Sequence, residues 1–129
     1  MQNLATAKAY IQAIQTGDQA AFGSLVHPAV VWHQPGNHQF SGTKNGIAEV
    51  GAMIGGMMEA SMGTFAITKV HNYLANSDLV AVEIDFSGQR EDFKLAQRGI
   101  DLLRIVEGKI VEVWLFSGDP EQEDAFWGR

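Results

Sequence analysis

The first half of the chain repeats its apolar residues every three or four positions, which is the period of an amphipathic helix. This spacing predicts a first helix that ends at Gly17 and a second that starts with an Asp18 cap and stops before Pro28. The β-branched and aromatic residues 30–33 then predict a short strand that leads into a turn at residues 34–36.

A third helix is predicted after this turn. Its cap is Ser41 or Thr43, and apolar residues at helical spacing carry it to about Met62. Glycines at positions 51, 55 and 56 weaken the helix, so we expect its middle to bend or to pack very closely. Its methionine stripe, which includes Met58, fits an adaptable ligand pocket or a hydrophobic core, and we favour the core.

The second half of the chain alternates apolar with polar positions, which is the period of a strand. The four predicted strands cover residues 65–74, 79–87, 93–106 and 109–116. Short turns at residues 76–78 and 107–108 favour an antiparallel meander, while the joint between the second and third strands is longer. The acidic tail, residues 117–129, is expected to be mobile or to pack through Phe126 and Trp127.

Both faces of the predicted sheet carry apolar residues. In the third strand Asp101 shares a face with Leu103, whereas Ile100 and Leu102 lie on the other face. The element order predicts one α+β domain, residues 1–129, with helices over one face of a curved, mostly antiparallel sheet. A second subunit is the expected cover of the other face, so we predict a homodimer.

Composition places the 129 residues among globular domains, with 46% hydrophobic and 19% charged residues. Fifteen acidic against nine basic residues leave no basic face for nucleic acid or an anionic membrane, so we expect neither as a partner. The absence of cysteine excludes a disulfide framework, a thiolate zinc site and a cysteine nucleophile. Without a secretion signal or an apolar run of ~20 residues, the expected location is cytoplasmic.

Five short segments carry a resemblance through their order and spacing together. They are residues 10–18, 31–36, 41–43, 99–104 and 108–114. In these segments the chain resembles the nuclear transport factor 2-like superfamily, and within it ketosteroid isomerases and SnoaL-like polyketide cyclases. The resemblance covers nearly the whole chain. It implies a cone, in which the curved sheet and the three helices of the N-terminal half enclose a deep apolar pocket, and we expect no cofactor.

The site of ketosteroid isomerases is only partly matched. The resemblance implies that Tyr10 and Asp101 donate hydrogen bonds to the substrate oxygen, which requires a protonated Asp101. The general base of that family falls on Gln34, and a glutamine takes no proton at neutral pH. SnoaL-like cyclases place their base beside the tryptophan of the last strand, where this chain has Val113 and Leu115.

The two candidate donors, Tyr10 and Asp101, also fit purely structural roles. Asp101 has Lys94, Arg98 and Arg104 on its own strand as salt-bridge candidates. Tyr10 fits an ordinary, half-buried position on a helix.

Two histidines are candidates for a replacement base, because imidazole titrates near neutrality. His33 lies on the strand face opposite Gln34 if alternation is strict, so a bulge or the Pro35 turn would have to bring it back. Otherwise His33 bonds a carbonyl or lies at the dimer face. His38, in the following loop, is a ligand contact or a solvated side chain. No carboxylate motif accompanies them, so we expect no metal site.

The predicted ligand is a small hydrophobic molecule. The candidate catalytic residues are Tyr10, Asp101 and His33, and the candidate binding residues are Trp32, Gln34, His38, Met58, Leu103, Val113 and Leu115. They favour a cofactor-independent isomerase, cyclase or dehydratase that moves a proton on a carbonyl compound, with His33 or bound water as base. The alternatives are a non-catalytic binder of a hydrophobic metabolite and a dimeric protein-interaction module.

Overall fold

The computed structural model describes residues 2–128, which form four helices and six strands. In chain order these are α1 (Gln2–Thr16), α2 (Gln19–Leu25), β1 (Val26–Gln34), β2 (Gly42–Asn45), α3 (Ile47–Ala60), β3 (Ala66–Asn76), β4 (Leu79–Arg90), β5 (Phe93–Val106), β6 (Lys109–Ser117) and α4 (Pro120–Trp127). The predicted α+β class is confirmed. Among residues 2–128, none of the helices has the length and apolar character that a membrane crossing needs.

The six strands form one curved sheet in the order β2-β1-β6-β5-β4-β3. Strands β3 to β6 pair antiparallel with their sequence neighbours, as the predicted meander requires. Strand β1 instead pairs in parallel with β6, which sets Trp32 beside Val113 and His33 beside Trp114. The first strand of the chain therefore lies next to the last one, in the middle of the sheet.

One face of the sheet, here called the inner face, is covered by the helices and forms the core. Alternate residues of β4, among them Val80 and Val82, are completely buried on this face. Val80 on β4 pairs with Leu103 on β5, and Leu103 in turn pairs with Val113 on β6. The opposite face, here called the outer face, carries the exposed Ile100 and Phe116.

The third helix begins later than predicted, and neither Ser41 nor Thr43 caps it. Thr43 lies in β2, a short edge strand that pairs with β1 and that the sequence pattern did not reveal. Helix α3 starts after Gly46, whose φ of +87° is one that glycine adopts without steric cost. The close packing expected of its glycines occurs at Gly56, where an added Cβ would lie 2.7 Å from the ring of Phe40.

Strand β4 is longer than predicted. It continues to Arg90, so residues 91–92 alone connect it to β5 in place of the longer joint expected there.

The acidic tail packs as helix α4 and is not a free segment. Asp119 caps its start by accepting a hydrogen bond from the backbone N–H of Gln122 at 3.1 Å. Phe126 and Trp127 at its end are buried, as one of the two alternatives predicted. Arg90 holds that end, since its Nη1 donates to the carbonyl oxygens of Phe126 at 2.9 Å and Trp127 at 2.7 Å.

Candidate functional site

Tyr10 projects from α1 into the core and is completely buried. Its hydroxyl has no hydrogen-bond partner in the part of the chain that the structure describes. Burial, with a smaller effect of the nearby Asp101 charge, raises the pKa of Tyr10 well above its ordinary value, so the phenol keeps its proton. An unpartnered buried hydroxyl costs about 1–3 kcal/mol, and a ligand oxygen that accepted from it would remove this cost.

Asp101 reaches the same interior from the middle of β5, between Val82 on β4 and Leu115 on β6. Its side chain is buried, and across residues 2–128 no salt bridge includes it. Arg98 and Arg104, the expected partners on its own strand, pair with other acidic side chains instead. Burial, and then the negative charge of Glu123, raises the pKa of Asp101 to about 7. Asp101 is therefore poised to hold or release a proton near neutral pH.

Glu123 is a further buried carboxyl group, and it comes from α4. Ser117 Oγ donates a hydrogen bond to one of its oxygens, and Trp127 Nε1 donates to the other at 3.2 Å. Because the charge of Glu123 acts on Asp101, and that of Asp101 acts on Tyr10, the three side chains form one electrostatically connected group. We call Tyr10, Asp101 and Glu123 the interior cluster.

Gln34, in the position of the missing base, is buried at the end of β1. Its Oε1 accepts a hydrogen bond from Trp32 Nε1 at 2.9 Å. An indole N–H only donates, so this contact fixes the orientation of the amide and leaves Nε2 as the free group. Both side chains are buried on the inner face, where they were predicted to contact a ligand, and Gln34 offers that ligand a donor.

His38 is buried in the loop between β1 and β2 and is not a solvated loop histidine. Its Nδ1 accepts a hydrogen bond from the backbone N–H of Phe40 at 3.1 Å, so the neutral ring carries its proton on Nε2. That Nε2 has no partner within residues 2–128. Burial lowers the pKa of His38, although the charges of Glu123 and Asp124 oppose the effect. The ring is therefore a neutral, unpartnered donor.

His33 lies on the outer face, as the alternation of β1 indicates. Its Nε2 is 2.6 Å from Glu112 Oε2, and its ring stacks on Trp114 with centroids 5.5 Å apart. Its Nδ1 is 3.4 Å from Thr43 Oγ1. No bulge turns it inward, because the irregularity of the β1–β6 pairing lies before Val31. The structure therefore does not bring His33 to Tyr10 and Asp101.

The remaining predicted lining residues divide into two groups. Leu103 and Val113 are buried on the inner face, and Leu115, which pairs with Asp101, is half-buried there. Met58 is 37% exposed, and Met53 and Met57 are the methionines of α3 that enter the core. The interior contacts predicted for the sheet residues are thus available, and the one predicted for Met58 is not.

Two surface depressions lie away from these residues. One surface depression is lined by Gln2, Asn3, Leu4, Ala75 and Ser77, and another by Thr68, Asp85, Phe86, Ser87, Ala96, Gln97 and Arg98. Neither includes Tyr10 or Asp101. Between residues 2 and 128, no three His, Asp or Glu side chains are grouped so that they could hold a metal ion.

Sequence reasoning missed Glu123 as a member of this group. The tail contains several acidic residues, and Glu121, two positions earlier, is exposed. The available signal was the spacing of Glu123 and Trp127, which at four residues apart share a helix face.

Comparison with known proteins identifies the domain. The family model described as a SnoaL-like domain matches residues 7–113. A solved protein of unknown function with a cystatin-like fold, from Xanthomonas campestris, is 60% identical, with 100% of each chain covered and a TM-score of 0.97.

Two more distant structures share the fold. A nuclear transport factor 2-like protein from Burkholderia xenovorans is 14% identical, with 98% of this chain and 96% of the other covered and a TM-score of 0.81. TerC, which was co-crystallised with polyporic acid, is 17% identical, with 91% and 92% covered and a TM-score of 0.78.

Proposed function

Because the chain belongs to the SnoaL-like domain family of the nuclear transport factor 2-like superfamily, we propose that it is a small enzyme that moves a proton on a hydrophobic carbonyl compound. The observation that carries this proposal is the pair of Tyr10 and Asp101. One is a buried hydroxyl without a partner, and the other is a buried carboxyl with a pKa of about 7. General acid catalysis works best when the pKa of the acid lies near the working pH.

In the proposed step, a carbonyl oxygen of the ligand accepts hydrogen bonds from Tyr10 Oη and from protonated Asp101. A proton leaves the adjacent carbon for a water molecule, and the electron pair of the broken C–H bond moves onto the oxygen. The two donors stabilise the negative charge that develops there. Asp101 passes its proton to the enolate oxygen, and the reverse sequence at another carbon gives the rearranged product.

Water is the proton acceptor in this proposal because the family's base position offers none. Gln34 has its amide oxygen engaged by Trp32, and His33 faces the other side of the sheet. His38 carries its ring proton on Nε2, so in this proposal it is a third hydrogen-bond donor to the ligand.

The apolar surroundings support a hydrophobic ligand. Val82, Leu103 and Leu115 border Asp101 on the inner face, so the acid has an apolar environment on both neighbouring strands. TerC, which has the same fold, was co-crystallised with the small organic molecule polyporic acid, and this supports a small organic ligand here. Because the core is packed, entry of a ligand requires some of the core side chains to move.

A second candidate function is binding of a hydrophobic metabolite without catalysis. It is favoured by Gln34, since an amide in the base position orients a ligand but takes no proton. The two functions differ in one property: the enzyme releases a carbon-bound proton of the ligand to solvent, and the binder does not.

Solvent deuterium exchange separates the two. The α-protons of 2-tetralone, an aryl-fused ketone, are followed by NMR in deuterated buffer between pH 5 and 9. We expect the wild type to accelerate exchange and to lose this acceleration as the pH rises through about 7, because protonated Asp101 is the active form.

Asp101→Leu should lower the accelerated rate roughly 10²-fold, since it removes a donor to the oxyanion. Asp101→Asn retains a donor but cannot pass on a proton, so it should be slower than the wild type and lose the pH dependence. Asp92→Asn, at an exposed position, is the matched control and should behave as the wild type. Saturable binding of 2-tetralone without exchange would favour the non-catalytic function.

A further inference from the structure

We infer that Glu123 is a positioning residue for Asp101: the C-terminal helix inserts a fixed negative charge beside this acid and thereby keeps it protonated for the proposed reaction. The inference rests on the proposed function only for its purpose, because the charge of Glu123 acts on Asp101 whether or not a ligand reacts. It assigns a role to α4, which lies beyond the 7–113 segment matched by the family model.

The first support is the way in which Glu123 is held. Its side chain is buried, and both of its oxygens accept hydrogen bonds, one from Ser117 Oγ and one from Trp127 Nε1. Trp127 is itself completely buried, and its indole N–H cannot accept a bond in return. The carboxyl group therefore has a fixed position and serves as an acceptor.

The second support is the register of the sheet. Asp101 pairs with Leu115 and Gly99 pairs with Ser117, so Asp101 and Ser117 are diagonal neighbours on the inner face. A hydrogen bond from Ser117 to Glu123 consequently brings the Glu123 carboxyl over the part of the sheet that holds Asp101. Gly99 has no side chain on this face, and the Phe86 ring packs over it, since an added Cβ would lie 2.8 Å from that ring.

The third support is electrostatic. The negative charge of Glu123 is, after burial, the second cause that raises the pKa of Asp101 to about 7. Two like charges in a region of low dielectric repel strongly, so Asp101 ionises only at a higher pH when Glu123 is charged.

Among the charged side chains of residues 2–128, Glu123 is the one whose charge acts on the pKa of Asp101. Tyr10 responds to the charge of Asp101 but is neutral itself. The charges of Glu123, Asp124 and Lys44 act on the pKa of His38, which lies in the loop between β1 and β2. Glu123 is thus the group that connects the loop, the C-terminal helix and Asp101.

A purely structural role for Glu123 makes a different prediction. If it only anchored α4, its replacement would change stability and leave the titration of Asp101 unaltered. Direct observation of that titration therefore distinguishes the two roles.

The test uses the full chain labelled with carbon-13 at the side-chain carboxyl groups, with the Asp101 signal assigned by its loss in Asp101→Asn. In the wild type we expect a midpoint near 7. Glu123→Gln keeps the shape, and its amide oxygen still accepts from Trp127, so the fold should persist while the charge is lost. In this variant the midpoint should fall by about one pH unit or more.

Glu121→Gln is the matched control, because it removes the same charge from an exposed position on the same helix. Its Asp101 midpoint should equal that of the wild type. An unchanged midpoint in folded Glu123→Gln, or an equal fall in both variants, would overturn the inference.

A measurement on the wild type alone covers the case in which Glu123→Gln fails to fold. The Glu123 carboxyl carbon should report a small inflection at the midpoint of Asp101, because the two groups interact. A Glu123 signal without that inflection contradicts the inference. Because no ligand is present, failure here is independent of failure of the deuterium-exchange test.

Discussion

Ionisation costs more free energy for a buried carboxyl group than for an exposed one, and a second carboxyl group nearby increases that cost. For Asp101 this difference appears as a pKa of about 7 in the folded chain, against about 3.9 for an aspartate in an unfolded chain. Between these two values the native state holds a proton that the unfolded state has released. The free energy of unfolding therefore decreases as the pH rises from about 4 to about 7.

Replacement of Asp101 by asparagine should remove this pH dependence. We expect Asp101→Asn to gain stability relative to the wild type as the pH rises, by on the order of 4 kcal/mol across the whole interval, because the amide never ionises. Urea denaturation at pH values from 4.5 to 8 measures the difference. Parallel stability curves for the two proteins would show that Asp101 ionises in the folded state as readily as in the unfolded one.

At this scale, the sequence predicts residues whose role follows from a local pattern. Tyr10 and Asp101 lie in short segments with recognisable neighbours, and the structure buries both side chains. Strict alternation with Gln34 indicates the outward direction of His33, which was nevertheless also a candidate base. Glu123 could not be found in this way, because its importance depends on where α4 docks against β5 and β6.

At the scale of elements, the sequence predicts the long periodic segments, with some boundaries displaced, and it does not predict the short strand β2. Strand β5 spans Phe93–Val106, as its alternation indicates. Strand β2 has four residues, none of them buried, so it has no apolar pattern and exists through its pairing with β1. The start of α3 was misplaced for the same reason, since the residues thought to cap it belong to that strand and its connection.

Helix α4 shows how tertiary contacts select between two local possibilities. Its composition is acidic enough for a solvated tail, yet Asp119 and Pro120 are also a regular helix start. The two hydrogen bonds from Arg90 to its last carbonyl groups, and the burial of Trp127, favour the docked helix. The hydrogen bonds from Arg90 have no sequence-local signal, whereas packing of Trp127 is one of the two alternatives that the sequence predicts.

At the scale of the whole molecule, the outer face of the sheet has an apolar patch without a cover. Ile100 and Phe116 face each other across β5 and β6, and they are 40% and 55% exposed. Leu102 and Trp114 pair beside them and are half-buried. Contiguous exposed apolar groups are often covered by a second copy of the chain, and we propose a homodimer through this patch.

Sedimentation velocity measures this association. The wild type should sediment as a dimer, and Phe116→Glu should sediment as a monomer, because it places a charge at the centre of the patch. Phe93→Glu is the control, since Phe93 is similarly exposed but belongs to the inner-face rows of β5. A monomeric wild type over the accessible concentration range, or dimers in both variants, would exclude this interface.

The central claim is that Tyr10 and Asp101 together receive a ligand oxygen that bears negative charge. The most direct measurement is the affinity of phenols and naphthols of similar size and decreasing pKa, titrated at pH 6 into the wild type and Asp101→Leu. Phenolates resemble an enolate, so the dissociation constant of the wild type should fall steadily as the phenol becomes more acidic, and Asp101→Leu should lose this trend. No binding to either protein, or the same trend in both, would contradict the claim.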